Sequence, residues 1–428
     1  MKYFTLVLLS LLAAGSPLGD TVSKYGGVGD PSLVMPGARG VATPSTPEAC
    51  HTRRVGLAAE IGDGIFLVQA GEEEDGRFDP DVDYQYLTGL MRPDSKLLLV
   101  AKNGKLVREE LYIPIQTAKQ KLWEGPKLGL QDFGPDSSFA TVLPLENFDF
   151  EALAKEAGKD GVLAVDEVTI AELVEHEIEV KRGRKELNLL QKVKSLEEQA
   201  ALQTAVDITL ASLADATVIA VPGAWEYMAE AAIEGGFRRR GAEFLAFPSI
   251  CGSGINSCYL HYRANNRQLQ DGELLLMDVG AKYMGYSADI TRTIPVNGKF
   301  SERQREIYTL VYDAQQLAAA ALKPGLSMRD LHNMVVEFFD EKGYREYFKH
   351  GLGHHLGIRV HDVPGFRGVL EEGMLVTIEP GIYINEEKLG VRIEDDYLVT
   401  KDGSIKLSGA FPSAPDALEA YIARLRTR

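Results

Sequence analysis

The stretch LLLMDVGAKYMGYSADITRT, residues 274 to 293, contains two apolar strand-like runs, each carrying one aspartate. A tight connection at Tyr283-Met284 predicts that the two runs pair as an antiparallel hairpin. With the turn centred there, Asp278 and Asp289 lie directly opposite each other, with their Cβ atoms about 5 Å apart. Two carboxylates so placed repel, and burying an unpaired carboxylate is costly. We therefore expect a positive charge between them, because the apolar flanks of Asp278 argue against a pair of solvent-facing residues.

A second strand pair, predicted at Met374 to Ile384 and Val391 to Thr400, repeats this arrangement. Glu379 follows an apolar run in the first strand, and Glu394 ends an apolar run in the second. Each acid again lies at the edge of an apolar strand, where an isolated charge is unfavourable. The two strand pairs together therefore offer four candidate buried carboxylates.

A third motif, HGLGHHLGIRVHD at residues 350 to 362, holds four of the chain's eight histidines and three glycines. Glycine is unfavourable inside a helix and suits a backbone that bends sharply or passes close to another group. Imidazoles on such a backbone indicate metal ligation or proton transfer. The simpler alternative is one or two packed histidines in a surface turn.

Four carboxylates and an imidazole match the charge of two divalent cations. Ligation dominated by oxygen favours Mn²⁺, Mg²⁺ or Co²⁺ over a site that prefers thiolates. Two such ions about 3.5–4 Å apart can share a water, lower its pKa and stabilise both oxygens of a tetrahedral intermediate. The reaction class that the residues predict is metal-assisted hydrolysis.

The acids and one histidine, in chain order, resemble the metal-ligand set of the "pita-bread" dinuclear metallopeptidases. Among these, the chain is most similar to the aminopeptidase P (Xaa-Pro aminopeptidase) family. The similar segments are residues 261–300, 350–362, 378–384 and 390–400, together with DYQYLTG at 83–89 in the N-terminal part. The resemblance implies a small N-terminal α/β domain followed by a pita-bread catalytic domain, in which helices cover a curved antiparallel sheet; the fold class is α/β (α+β).

The resemblance also implies a role for each metal ligand. Asp278 would bind one metal, and His354 would bind the other together with Glu379. Asp289 and Glu394 would bridge both metals, and Glu379 would also act in catalysis by moving the proton of the attacking water. The cofactors implied are two divalent metal ions, Mn²⁺ first, with Co²⁺ or Zn²⁺ as alternatives.

Five further residues match positions around the substrate in this family. His261 and His361 would line the substrate site and act in catalysis by stabilising the oxyanion and the peptide nitrogen. His350, Tyr383 and Arg392 would also contact the substrate region, and Arg392 can support a hydrogen-bond network of the kind that metal sites need.

Three polar residues beside the predicted ligands are interpreted differently. His355 directly follows His354, and we interpret it as a packed or outer histidine that does not bind metal. Asp395 and Asp396 directly follow Glu394. They are expected to form a turn or a polar outer layer around the site.

Length and pattern indicate two folded domains behind an N-terminal leader. Residues 1–19 are typical of a cleavable signal peptide, because Lys2 precedes a short apolar run and small residues. We predict a flexible leader at 20–50, with structure starting near Arg53, then an α/β domain at 51–181 and the catalytic domain at 182–428. One long helix, Glu186 to Leu213, is expected to open the catalytic domain.

Composition excludes some partners and compartments. A formal net charge of −16 argues against a nucleic-acid partner, which would need a basic face. Outside the signal-like segment, whose apolar run is too short to span a bilayer, we predict no membrane span. The mature protein is expected to be exported, either periplasmic or secreted. Cys251 and Cys258 either form a disulfide or remain buried thiols.

The leading functional hypothesis is an enzyme that removes an N-terminal residue preceding proline, acting as a homo-oligomer by family resemblance. A prolidase, which takes Xaa-Pro dipeptides, shares the fold, the domains and the metal ligands and is the first alternative. A creatinase-like non-peptidase or a metal-free binding module fits less well, because such relatives lose metal ligands that are all present here. A generic extracellular binding protein leaves the acids inside apolar strands unexplained.

Overall fold

The computed structural model describes residues 46–73, 78–134 and 137–427. The predicted signal peptide and most of the predicted leader lie outside the described residues. The first helix begins at Pro47, inside the predicted leader and ahead of the predicted start near Arg53. It begins there because the Thr46 side chain accepts a hydrogen bond from the Ala49 amide and Pro47 occupies the first helical position.

Helices and strands alternate along the described chain. The helices are α1 Pro47–Ile61, α2 Val82–Thr88, α3 Ala118–Glu124, α4 Phe150–Ala157, α5 Glu167–Glu175, α6 Arg184–Gln191, α7 Leu196–Ile219, α8 Glu226–Arg239, α9 Glu302–Ala321, α10 Met328–Glu341 and α11 Pro415–Arg426. The N-terminal strands are β1 Gly64–Gln69, β2 Lys96–Lys102, β3 Lys105–Ile113, β4 Thr141–Pro144, β5 Val162–Ala164 and β6 Val180–Arg182. The later strands are β7 Phe244–Leu245, β8 Ile250–Ser253, β9 Leu274–Val279, β10 Ala281–Tyr283, β11 Tyr286–Ser287, β12 Ile290–Pro295, β13 Leu375–Ile378, β14 Gly381–Ile384, β15 Leu389–Arg392, β16 Asp395–Val399 and β17 Ser404–Lys406.

The N-terminal strands form one mixed six-stranded sheet in the order β4-β3-β2-β1-β5-β6. Its centre is antiparallel, while β4, β5 and β6 join in parallel. In the catalytic part, every strand pairing among the described residues is antiparallel. The predicted division into a small α/β region followed by antiparallel strands with long helices is confirmed.

The predicted hairpin forms from β9 and β12, but its register differs from the prediction. Asp278 pairs with Thr291, so Asp289 lies diagonally from Asp278 instead of directly opposite it. The turn is centred on Met284 and Gly285, which both have positive φ, one residue later than predicted. The expectation of directly opposed aspartates is therefore wrong. Both acids still share one face of the hairpin, because side chains two residues apart on a strand point the same way.

The second predicted strand pair is present, but each strand is divided at its acid. β13 pairs with β16 and β14 pairs with β15, and Glu379 and Glu394 lie between the segments. Pro380 has no backbone N–H and disfavours helical geometry before it, so the ladder is interrupted after Glu379. These interruptions place both glutamates at irregular backbone, where their side chains can turn toward a common point.

The predicted long helix is also divided, into α6 and α7. Residues 192–195 leave the helix because Ser195 and Glu198 form a reciprocal capping box that starts α7 anew. By length and hydropathy alone, α7 is the one helix among the described residues that is long and apolar enough to cross a membrane. Of its apolar window, 67% is buried inside the protein, as in a core helix.

Two groups of buried apolar side chains position the site. The larger one packs the hairpin residues Val279 and Ile290 against the catalytic-domain helices. The second packs Phe66 of the N-terminal sheet with Leu356 and Leu375, which lie next to the histidine stretch and on β13. Because this second group includes residues of both regions, the histidine stretch is supported from the N-terminal side as well.

Cys251 and Cys258 are both free and buried in the structure, as is Cys50. The alternative of a disulfide between the first two is therefore not realised. Burial raises the pKa of the Cys258 thiol to about 11.

Candidate active site

The histidine stretch runs alongside β13 as an additional hydrogen-bonded segment. The Thr377 amide donates to the His354 carbonyl at 2.8 Å, and the Glu379 amide donates to the Leu352 carbonyl at 2.7 Å. A side chain at Gly353 would place a Cβ only 2.2 Å from the Thr377 carbonyl oxygen. Glycine is therefore needed where the two backbones approach, and this approach holds His354 beside the end of β13.

Glu394 is directed toward the hairpin by two contacts with Thr291. Its amide donates to the Thr291 carbonyl at 3.1 Å, and the Thr291 hydroxyl donates to Glu394 Oε2 at 2.7 Å. Because Asp289 is two residues from Thr291, its side chain lies on the same face. The result is a cluster in which ligand atoms of Asp289, His354 and Glu394 all lie within 4.8 Å of one another.

The acids of this cluster are buried close to one another. Asp289 is 5% exposed and Glu394 is 1% exposed. Burial raises the pKa of each carboxyl well above its usual range, and neighbouring carboxylates including Asp278 raise it further. A group of buried acids with so little compensating charge is the environment that divalent cations neutralise, so the residues present fit a metal centre.

Asp278 fits the same interpretation. Its Oδ2 accepts from Arg392 Nη2 at 2.6 Å, whereas its buried Oδ1 has no hydrogen-bond partner among the described residues. A buried oxygen without a partner is unfavourable in a folded protein unless an ion or water satisfies it. Asp278 therefore offers one free oxygen on the same face as the cluster.

Glu379 lies between two histidines. Its Oε1 is 3.8 Å from His354 Nε2, and its Oε2 is 3.7 Å from His350 Nδ1. Burial raises the pKa of Glu379 to about 7, against the lowering effect of His354 and Arg392. The carboxylate is thus placed to contact both the cluster of Asp289, His354 and Glu394 and the open cleft.

His350, Tyr383 and Arg392 form a chain of hydrogen bonds that leads to Asp278. Nδ1 of His350 lies 2.7 Å from the Gly351 carbonyl, which can only accept, so Nδ1 carries the proton. In the neutral ring, Nε2 then accepts from the Tyr383 hydroxyl at 2.8 Å, and that oxygen accepts from Arg392 Nη1 at 2.9 Å. Burial, followed by the charge of Arg392, lowers the pKa of His350 to about 3, so the ring is neutral at pH 7.

An open cleft of about 280 Å³ gives access to these groups. His261 and His361 line it, and the His361 ring packs edge-on against His354 at 4.3 Å between centroids. Burial lowers the pKa of His361, so its imidazole is neutral at pH 7. The predicted residues that line this cleft directly are His261, Asp278, His350, His354, His361, Glu379 and Arg392. The remaining predicted residues Asp289, Glu394 and Tyr383 are bonded to or clustered with that lining.

Three neighbouring residues, His355, Asp395 and Asp396, were not predicted to bind metal, and they lie behind the site. His355 is fully buried and does not line the cleft. Asp395 and Asp396 are also fully buried, and they begin β16, so the turn interpretation is wrong. Asp396 Oδ2 instead accepts a hydrogen bond from the Asp289 amide at 3.2 Å, which makes it a polar support of the cluster.

Sequence reasoning missed two residues that hold the ligands. Thr291 bonds to Glu394 and also accepts from Arg392 Nε at 3.1 Å. Its position two residues after Asp289 was a signal, because both side chains must share one strand face. Gln315 of α9 contacts the carbonyls that precede Glu379 and Glu394, and nothing in the helical pattern marks it.

Comparison with known proteins places this site in a family. Residues 50–162 match the aminopeptidase P N-terminal domain, and residues 200–401 match metallopeptidase family M24. A Xaa-Pro aminopeptidase of Haemophilus influenzae is 34% identical over 415 residues, which cover 85% of this chain and 95% of the relative. A Xaa-Pro dipeptidase of Pyrococcus horikoshii is 35% identical over 310 residues, covering 71% of this chain and 81% of the relative.

Solved structures agree with the sequence matches. Proline aminopeptidase P II of Yersinia pestis superimposes with a TM-score of 0.81 at 29% identity, covering 89% of this chain and 100% of that one. The overall fold is therefore shared across the full length of that enzyme. The chain is a metallopeptidase that belongs to family M24, in its aminopeptidase P group.

Proposed function

We propose that this enzyme hydrolyses the bond between an N-terminal residue and a following proline, as a Xaa-Pro aminopeptidase acting on peptides. The observation that carries the proposal is the cluster of Asp289, His354 and Glu394 beside an open cleft lined by histidines. The chain that holds this cluster is related along nearly its whole described length to Xaa-Pro aminopeptidases.

We propose that the metals bind where the sequence resemblance placed them. Asp278 would hold one ion through its unpartnered Oδ1, His354 and Glu379 would hold the other, and Asp289 and Glu394 would contact both. When bound, divalent cations would supply Lewis-acid polarisation of the scissile carbonyl and lower the pKa of the attacking water.

The side chains around the cleft would handle protons and orient the peptide. Glu379 faces both the cluster and His350, so it would accept the proton of the attacking water and return it to the leaving nitrogen. His261 and His361 line the cleft and would donate hydrogen bonds to the developing oxyanion and the peptide nitrogen. Arg392 and Tyr383 would fix the orientation of His350 through the chain of hydrogen bonds described above.

Mn²⁺ is the metal that the ligand set favours, with Co²⁺ and Zn²⁺ as alternatives, because carboxylates supply four of the five proposed ligand side chains. The measurement is hydrolysis of a proline-second peptide by protein stripped with a chelator and resupplied with each ion separately. Highest activity with Mn²⁺ is expected. Full activity after metal removal would contradict the proposed metal centre.

The second candidate function is Xaa-Pro dipeptidase activity, which the similarity to the Pyrococcus horikoshii relative favours. The two are separated by comparing kcat/KM for Xaa-Pro dipeptides and for Xaa-Pro-Xaa tripeptides with the same first residue. We expect the tripeptides to be better substrates. A preference for dipeptides would overturn the aminopeptidase proposal while leaving the metal centre intact.

We also propose that the protein is exported and forms a homo-oligomer. Residues 1–19, the signal-like segment that contains the apolar run, would direct export. Fractionation of cells that express the full chain, with sedimentation of the purified protein, tests both statements.

A further inference from the structure

A second cleft opens next to the proposed active site. It has a volume of about 590 Å³ and shares His350 and Gly351 with the catalytic cleft. The two clefts therefore adjoin each other at the start of the histidine stretch. A peptide longer than the reacting pair of residues needs such a continuation, because the catalytic cleft itself is only about 280 Å³.

One wall of this second cleft is aromatic. The His332 ring lies 5.4 Å from the Phe348 ring and 5.6 Å from the Phe366 ring, and Phe348 packs edge-on against His350 at 5.2 Å. Burial and the nearby Arg345 lower the pKa of His332, which favours its neutral ring. The aromatic wall is therefore uncharged and suited to apolar parts of a peptide.

The rim of the second cleft carries two exposed cations, Arg345 and Lys349. Within the described residues neither forms an ion pair, and Arg345 makes only a long 3.4 Å bond to the Phe348 carbonyl. The adjacent Glu346 supplies one negative charge to the lining. In a chain with a formal charge of −16, these two cations place positive charge beside the site.

We propose that this second cleft is a subsite for a carboxylate located just beyond the proline of the substrate. The carboxylate comes either from the C-terminus of a short peptide or from an acidic side chain. Arg345 and Lys349 attract it, while the aromatic wall contacts the apolar atoms between it and the scissile bond. The inference rests on the proposed function, and it narrows the substrate class to proline-second peptides that are acidic or short.

The test compares kcat/KM of the Mn²⁺-loaded enzyme for Xaa-Pro-Ala as the free acid and as the C-terminal amide. A second pair, Xaa-Pro-Glu-amide and Xaa-Pro-Gln-amide, separates a side-chain carboxylate from a terminal one. The variants are Lys349→Gln, Arg345→Gln and the double substitution, with Lys342→Gln as the control. Lys342 is an exposed cation on the same segment that lines neither cleft.

Exposed charge pairs contribute modestly, so we expect a preference for the carboxylate of roughly two- to fivefold per cation, seen mainly in KM. The double variant should lose the preference for the carboxylate and keep its activity on the amides. The control Lys342→Gln should retain the preference, and about 0.5 M salt should weaken it. Equal values for acid and amide in the unaltered enzyme, or a preference that survives the double substitution, would overturn the subsite. If the amides are still hydrolysed in that case, the proposed function remains supported. Failure to cleave any of these peptides would overturn both the subsite and the proposed function.

Discussion

The side chain of Gln315 joins the two interrupted strands that carry the predicted metal ligands Glu379 and Glu394. Its Nε2 donates to the Ile378 carbonyl at 3.1 Å and to the Ile393 carbonyl at 3.2 Å. These are the carbonyls immediately before Glu379 and Glu394. We predict that Gln315→Met, which keeps a similar volume without a donor, weakens both the fold and the metal centre.

The magnitude follows from the groups left without a partner. Gln315 is fully buried, so water cannot replace its hydrogen bonds to the two carbonyls. An unsatisfied buried carbonyl costs about 1–3 kcal/mol, so we expect the free energy of unfolding to fall by about 2–4 kcal/mol. The third contact, to Asp395 Oδ2 at 3.0 Å, adds less, because Lys406 Nζ still binds that oxygen at 2.6 Å.

Positioning and stability are measured separately. Urea unfolding of metal-free protein gives the stability, and calorimetric titration with Mn²⁺ gives the affinity, which we expect to fall by about 10–100-fold. Gln316→Met is the control, since Gln316 lies next on α9, is exposed, and has its one side-chain hydrogen bond among the described residues to Gln315 Oε1. If Gln315→Met loses stability but binds Mn²⁺ as tightly as the unaltered protein, Gln315 only fills space and the positioning argument is refuted.

Three further predictions concern carboxylates. Asp289→Asn should abolish tight Mn²⁺ binding yet stabilise the metal-free protein at pH 7, because the raised pKa of Asp289 means that its ionisation opposes folding. Asp81→Asn should stabilise the protein by about 3 kcal/mol at pH 7.5, where Asp81 is ionised in both the folded and the unfolded state, and far less at pH 4. Burial and Asp83 raise the pKa of Asp81 to about 6, so its contribution to stability is full below about 3.8 and is lost as the pH rises through 6. Asp83→Ala should cost about 3–5 kcal/mol, because fully buried Asp83 accepts from Arg184 at 2.5 Å and also from Arg359 of the histidine stretch.

Each of these has a clear contrary outcome. Calorimetry that shows unchanged Mn²⁺ affinity for Asp289→Asn would remove that residue from the ligand set. A stability gain for Asp81→Asn that is the same at both pH values would show that ionisation is not its cause. Unfolding of Asp83→Ala at the denaturant midpoint of the unaltered protein would mean that the arginines find other partners.

The amino-acid sequence alone was sufficient to name candidate ligand side chains. Acids inside apolar strands are recognisable without a structure, because an isolated buried charge is too unfavourable to persist without a function. The glycines around His354 likewise indicated close backbone approach, which occurs at Gly353 against the Thr377 carbonyl. These signals are local, since each depends on residues that are neighbours in the chain.

The tertiary structure decided the register of the hairpin and the way in which distant segments come together at the site. A strand pattern repeats every two residues, so pairings of Asp278 with Asp289 or with Thr291 put the same side chains on the same face and cannot be distinguished by pattern. The positive φ angles of Met284 and Gly285 fix the turn and thereby the choice. Gln315 reaches its partners across 63 and 78 residues of chain, and such long-range contacts depend on how α9 packs, which no local pattern of residues specifies.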